Sequence, residues 1–188
     1  MAKGISAITG HLVSGRSGIS GIAGISLVEI WPFGLIQFMA WPDTLTKTTE
    51  LATIATGSDT TPSPGRAVTG ANGALLRVEP LKWWLVCDCG QPKSWKALSC
   101  VVLDLSQSRT RLHISGPQAA RLLSHVLPLD LSDTAFPEGC VASSAFHHVG
   151  VTLWRDAEGF NLFLPRSFAV SLYEILTATA VQYGLKIG

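Results

Sequence analysis

LIQFMAWPDT, residues 35–44, is an apolar strand run that stops at Pro42 and passes into a helix. Proline suits the first helical position, where its missing N–H would have no intrahelical partner, and Asp43 meets the positive end of the helix dipole. The same order returns at residues 110–117, TRLHISGP, where Gly116-Pro117 closes a strand before Ala119, Leu122, Leu123 and Val126 recur at helical spacing. Strand, proline and helix in one order, twice, predict an internal repeat over about residues 25–98 and 99–188.

Working outward, ISLVEI (25–30) reads as a strand joined to the first copy through Trp31-Pro32-Phe33-Gly34. The helix from Asp43 to Thr56 is rich in threonine and intrinsically weak, so packing must hold it, and Gly57 is its stop. Residues 57–73, GSDTTPSPGRAVTGANG, carry loop markers; ALLRVEP (74–80) and LKWWLVCDC (81–89) read as strands meeting at Glu79-Pro80. After the loop CGQPKSWKALS, VVLDLS (101–106) is a strand.

In the second copy, VASSAFHHVGVTLW (141–154) reads as a strand run in which His147 and His148 point to opposite faces, so they do not chelate one ion together without a bulge. FNLFLP (160–165) follows across a turn at Asp156-Ala157-Glu158-Gly159. A last helix starts near Ser167, with a stripe of Phe168, Leu172, Ile175, Leu176 and Thr179, and ends at Gly184. Hairpins carrying helices make an α+β domain over residues 25–188, two hairpin/helix units sharing one core.

Residues 1–24 read as a glycine-rich N-terminal arm: Gly15, Gly18, Gly21 and Gly24 recur every third position through GRSGISGIAG. Glycine loses the most entropy on ordering, so the segment is either a mobile terminus or an arm lying on a partner, with Ile19, Ile22 and Ile25 filling pockets. The 188 residues are 47% hydrophobic and only 14% charged, which fits either a buried partner face or a compact apolar domain. Of the six tryptophans, Trp83 and Trp84 are adjacent on a strand and face opposite sides: either one enters the core and the other, Trp84, is free for a partner, or the chain's own helices and loops cover both sides. Trp31 and, in its lysine-flanked loop, Trp95 are the other interface candidates.

Fourteen basic and thirteen acidic residues without a run of either sign remove the electrostatic case for nucleic acid or an anionic membrane. The stretch Ile19 to Trp41 is broken by Glu29, Pro32 and glycines, which argues against a membrane span. Cys87, Cys89, Cys100 and Cys140 are too few for a disulfide scaffold, and the glycine-broken start lacks an apolar signal core; a reducing cytoplasm is the expected home. Cys87, Cys89 and Cys100 with His113, His147 or His148 are the residue types of a zinc site, but paired ligands usually leave two or more residues between them. No spacing places a histidine and a carboxylate beside Cys140, and the G-x-x-G tail is followed by a strand, unlike a dinucleotide fingerprint. Asp104 and Asp130, the carboxylates considered for a pterin, read as turn and cap residues.

The segments LIQFMAWPDT, PGRAV (64–68), ALLRVEPLKWWLV (74–86), VVLDLSQSRTRLHISGPQAARLLSHVLPLDL (101–131), AFPEGC (135–140) and LPRSFAVSLYEIL (164–176) together resemble the gamma subunit family of heterotetrameric sarcosine oxidase, in that family's order from about residue 26 to 183. The resemblance implies a fold similar to the tetrahydrofolate-binding domain of the glycine-cleavage T-protein, with no catalytic residue, cofactor or metal in this chain. It implies alpha, beta and delta subunits as partners, holding FAD, FMN, NAD and zinc, in a complex that oxidises sarcosine and passes its methyl carbon to tetrahydrofolate. Gln107 and Ser108 depart from the family's DLS-x-x-R motif, where histidine is common, and CDCG follows the Trp-Trp strand. These departures leave room for another N-methylated amino acid, such as dimethylglycine or a methylated proline. A stand-alone folate-binding protein of the T-protein type is the alternative from the enzyme class.

Overall fold

The computed structural model describes residues 4–18, 23–88 and 100–188. The chain forms two compact units, neither of them one continuous stretch: residues 1–31, 108–138 and 143–188 make the first, 32–107 and 139–142 the second. Both combine an antiparallel-rich sheet with helices, so the α+β reading holds.

The first unit is built on a seven-stranded sheet. Its strands are β1 (Gly15–Ser17), β2 (Ile25–Ile30), β8 (Arg109–Ser115), β9 (Val141–Phe146), β10 (Val149–Arg155), β11 (Phe160–Pro165) and β12 (Leu185–Ile187), in the order β1-β12-β2-β8-β11-β10-β9. Leu27 pairs with Ile114, Ile114 with Phe160 and Leu112 with Leu162, which aligns buried side chains across the three central strands. Helix α2 (Ala119–Val126) follows Pro117 as expected and buries Ala119, Leu122 and Leu123.

Helix α3 (Ala169–Ala180), flanked by 3-10 turns at Arg166–Phe168 and Val181–Tyr183, turns the expected Leu172 and Leu176 inward but not the rest of the expected stripe. It buries Ala169, Leu172, Tyr173, Leu176 and Ala180, whereas Phe168 and Ile175 are exposed. Both sets are regular helical stripes that share Leu172 and Leu176, and the buried one is turned round the helix axis toward Ala169 and Tyr173; spacing alone does not choose between two overlapping stripes.

The second unit carries β3 (Gly34–Met39), α1 (Leu45–Thr56), β4 (Ala67–Gly70), β5 (Gly73–Glu79), β6 (Lys82–Cys87) and β7 (Val101–Asp104), with sheet order β4-β5-β6-β3-β7. One sheet face and α1 enclose Ile36, Phe38, Leu75, Trp83, Leu85, Ala52 and Ala55. Packing does hold the threonine-rich helix: Thr48 and Thr56 are fully buried, and the Thr56 hydroxyl donates to the Ala52 carbonyl at 2.7 Å. Gly57 closes it in the left-handed conformation, φ 68°, its N–H bonded to the Thr53 and Ile54 carbonyls.

Two local differences from the sequence reading have plain causes. Strand β4 lies inside the expected loop, because Ala67–Gly70 pair with Gly73–Leu76 across Ala71-Asn72 and form a hairpin too short for a periodic signal. His147 and His148 are not strand residues on opposite faces but the turn between β9 and β10, His147 taking a φ of 53°.

Candidate functional site

Each candidate interface residue has a definite place or lies outside the described residues. Ile19, Gly21, Ile22 and Trp95 belong to the latter group, as does Cys89. Gly15 sits in β1, the edge strand paired antiparallel to β12, opposite Ile187. Gly18 and Gly24 lie against backbone of their own unit: a Cβ on Gly18 would stand 2.0 Å from the Val181 carbonyl oxygen, and one on Gly24 would stand 2.4 Å from that of Tyr183. So Gly18 and Gly24 are laid on the chain's own fold, where no side chain fits, whereas Gly15 has open space beside it.

Trp31 is half-buried at the end of the first unit's leading segment. Trp84 corrects the expectation of one outward indole: Trp83 is 0% and Trp84 5% exposed. Their strand β6 is internal to its sheet, between β5 and β3, and Trp84 shares its face with Leu35, Ala74, Leu76 and Val86, all buried. Its Nε1–H donates to Gln37 Oε1, 3.1 Å away on β3. The uninterrupted run Trp83-Trp84-Leu85-Val86 was the available signal, since strands covered on both faces read as continuous apolar runs.

Asp156, a turn residue by sequence, has both carboxylate oxygens bonded. Asp156 opens the β10–β11 turn, and its Oδ1 accepts the amides of Glu158 and Gly159 at 2.9 and 2.8 Å. Its Oδ2 accepts Asn161 Nδ2 at 2.6 Å, and His113 Nε2 is 3.5 Å from the carboxylate. Behind them, Arg111 Nε donates to Asn161 Oδ1 at 2.8 Å, and its guanidinium stands over the Trp154 and Phe163 rings. Arg111 and Asn161 are buried and are diagonal neighbours in the β8–β11 register, Arg111 lying opposite Phe163 and Asn161 opposite His113. Burial alone would raise the Asp156 pKa, but the bonds from His113, Asn161 and the two amides outweigh it and hold the carboxyl far below the usual range.

Asp156 lines a cleft of about 210 Å³ with Ser115, Gly116, Glu138, Arg155 and Phe160 among its walls. That is below the ~300–1,000 Å³ of typical small-molecule sites, and the Asp156 acceptors are already taken by its neighbours. Arg155 is likewise engaged, by the Phe136 carbonyl at 2.8 Å and Asp133 at 2.6 Å. The network fixes a turn and pins two strands together.

The other candidates serve local structure. Asp104 and Asp130 accept the amides of Ser106 and Ser132, each two residues on, at 2.9 and 3.0 Å. They are the turn carboxylates expected, without the buried, available oxygen that a pterin needs, so the residues do not fit folate. Cys87, Cys100 and Cys140 are buried and reduced, and burial pushes the Cys100 thiol up, only partly offset by a hydrogen bond from Thr48. A raised thiol is a poor nucleophile at neutral pH.

A second buried cluster fastens the N-terminal segment. Ser6 Oγ lies 2.6 and 2.7 Å from the two oxygens of Glu29 on β2, Ile8 is fully buried, and Arg166 donates to the Ile5 carbonyl. Burial raises the Glu29 pKa, and the Ser6 hydroxyl and the Arg166 charge offset only part of the rise. The folded state therefore holds that proton more tightly than the unfolded chain, and stability declines as pH rises from about 4.5 through the raised value. Glu29→Gln keeps an acceptor for Ser6 and removes the buried charge. Urea midpoints measured from pH 4.5 to 7 are expected to fall less steeply for the variant; an unchanged slope would exclude Glu29 as the source.

No family model matches the chain. It is 38% identical over 66 residues to sarcosine oxidase subunit gamma of Corynebacterium sp. (strain P-1), which is 35% of this chain and 32% of that one. It is 37% identical over 67 residues to the gamma subunit of Arthrobacter sp, 36% and 33% of the two chains. An aminomethyltransferase of Thermoanaerobacter sp. (strain X514) is 28% identical over 86 residues, 44% of this chain and 23% of that one. The matched stretch thus spans about a third or less of these relatives' own length.

Among solved structures, the chain superposes on one chain of the heterotetrameric sarcosine oxidase of Corynebacterium sp. U-96, solved with pyrrole 2-carboxylate, with TM-score 0.73 and 22% identity over 88% of both chains. The chain has a sarcosine oxidase subunit fold. The glycine cleavage system aminomethyltransferase T of Bartonella henselae matches with TM-score 0.65 and 21% identity, over 88% of this chain but only 48% of that one. The sarcosine oxidase subunit fold is thus similar to about half of an aminomethyltransferase, in agreement with the motif resemblance to gamma subunits and the T-protein family.

Proposed function

We propose that this chain is a non-catalytic gamma-type subunit of a heterotetrameric, flavin-dependent amine oxidase of the sarcosine oxidase kind. The observation that carries the reading is the likeness over 88% of both chains to a subunit of such a tetramer. The absorbed chemistry of the fold supports it: the Asp156 carboxylate is taken up by its own turn and strands, and the Asp104 and Asp130 carboxylates by turns.

In this reading the partners are alpha, beta and delta subunits, the first two with FAD, FMN and NAD and the last with zinc. The complex demethylates sarcosine, with transfer of the one-carbon unit to tetrahydrofolate, in the cytoplasm. A related complex acting on dimethylglycine or an N-methylated proline keeps the same role for this chain. Among the described residues no helix is long and apolar enough to cross a membrane.

The aminomethyltransferase likeness favours one second reading, a stand-alone folate-binding protein, but the chain matches only 48% of that structure. Affinity isolation of the tagged full chain from its own cells separates the two. The expected product is a yellow, flavin-containing complex that releases hydrogen peroxide from sarcosine or another N-methyl amino acid. A colourless chain that binds tetrahydrofolate at micromolar concentration by calorimetry would overturn the subunit reading.

A further inference from the structure

Two buried donors are left over beneath the N-terminal segment. Tyr173, on the inward face of α3, is 3% exposed, and its hydroxyl has no hydrogen-bond partner among the described residues. Nη1 of Arg166 is likewise buried and unpartnered, although Nη2 of the same guanidinium donates to the Ile5 carbonyl. Leaving a buried donor without an acceptor is costly, and native structures almost always supply one.

Both donors converge on Glu29. Residues 166 and 173 are seven apart, about two helical turns, so they lie on one side of the stretch. A helical side chain leans toward the helix N-terminus, which carries the Tyr173 ring toward Arg166. Arg166 in turn holds Ile5, and the next residue, Ser6, places its hydroxyl 2.6 and 2.7 Å from the two Glu29 oxygens. Burial, and after it the Glu29 charge, push the Tyr173 phenol up, and the Arg166 charge acts on Glu29. Yet neither Tyr173 Oη nor Arg166 Nη1 bonds the carboxylate directly. Each is near enough to feel that charge and too far away to reach it. All four residues belong to the first unit.

From this geometry we infer that one internal water molecule is bound between β2, α3 and the N-terminal segment, accepting from Tyr173 Oη and Arg166 Nη1 and donating to Glu29. Water matches the groups in kind, with lone pairs for two donors and an O–H for a carboxylate that has acceptor sites besides those facing Ser6. Three bonds are the usual complement of a buried water, which joins polar groups that do not meet. An inorganic anion would satisfy both donors but oppose Glu29, and a metal ion would satisfy Glu29 but oppose Arg166. The water ties α3 to the two groups that hold Ile5 and Ser6, so it is part of what seats the N-terminal segment. The inference stands apart from the subunit reading.

Two measurements on the full chain test it. Tyr173→Phe keeps the ring and removes only the hydroxyl, so a bridged and an unpartnered hydroxyl give different results. With the water bound, the variant loses a bond, and the folded-to-unfolded ratio from urea denaturation should fall about fivefold, within the range of one net hydrogen bond. An unpartnered buried hydroxyl is better removed, so an unchanged or raised ratio overturns the water site. A crystal structure of the chain that resolves ordered solvent should show one water about 2.6–3.2 Å from Tyr173 Oη, Arg166 Nη1 and a Glu29 oxygen. Direct bonding of Tyr173 Oη to Glu29, an ion at this position, or a site without solvent overturns it whatever the variant does.

Discussion

Trp83→Ala is expected to lower the unfolding free energy of the chain by about 3–5 kcal/mol, the usual cost of truncating a large buried aromatic. Trp83 has no exposed surface and sits between Phe38 and Arg77 of the adjacent strands, facing the core that α1 closes. The Arg77 guanidinium stands 4.9 Å from its ring centroid, and Arg77 also caps the Pro80 and Pro62 carbonyls, so the indole is packed beneath a fixed cation. Its Nε1–H is buried without a partner, which makes the site's chemistry separable from its volume. Trp83→Phe keeps a ring under Arg77 and removes the unpaired donor, so it should cost clearly less than alanine. Urea denaturation of both variants decides this; an alanine variant within about 1 kcal/mol of the parent would show that this core does not depend on the indole.

Asp156→Ala comes next, at about 2–4 kcal/mol, because it strands two backbone amides and the Asn161 side chain of a partly buried turn at once. Asp156→Asn should lose less, since an amide oxygen still accepts from Glu158 and Gly159 while its NH2 opposes that of Asn161. The sign with pH follows from the depressed carboxyl. The bonds' contribution is present above the unfolded value near 3.9 and is lost as pH falls below it toward the folded value. The parent's denaturation midpoint should therefore fall below about pH 4 more steeply than that of Asp156→Asn. Parallel acid limbs would mean that the carboxylate does not stabilise the turn.

Much of the element order was legible because its signals are local. Pro42, Gly57, Gly116-Pro117 and the Asp156 turn act through their own backbone limits, and each stands where an element starts or stops. The short hairpin at Ala71-Asn72 and the His147-His148 turn were less legible, since two residues between strands leave little room for a composition signal. Trp84 was misassigned for a different reason. Alternation places Trp83 and Trp84 on opposite faces, and the sequence shows that much, but whether the second face is covered depends on residues distant along the chain.

Local pattern was enough for the α+β class and the strand–proline–helix order, because periodicity, proline and glycine act over a few residues. Tertiary packing was needed to bring Ala169 and Tyr173 of α3 inward beside Leu172 and Leu176, to leave Phe168 and Ile175 out, and to lay Gly18 and Gly24 against the Val181–Tyr183 turn. Both outcomes come from packing between segments more than a hundred residues apart, and a bare glycine backbone records its closeness to a neighbour only once that neighbour is in place.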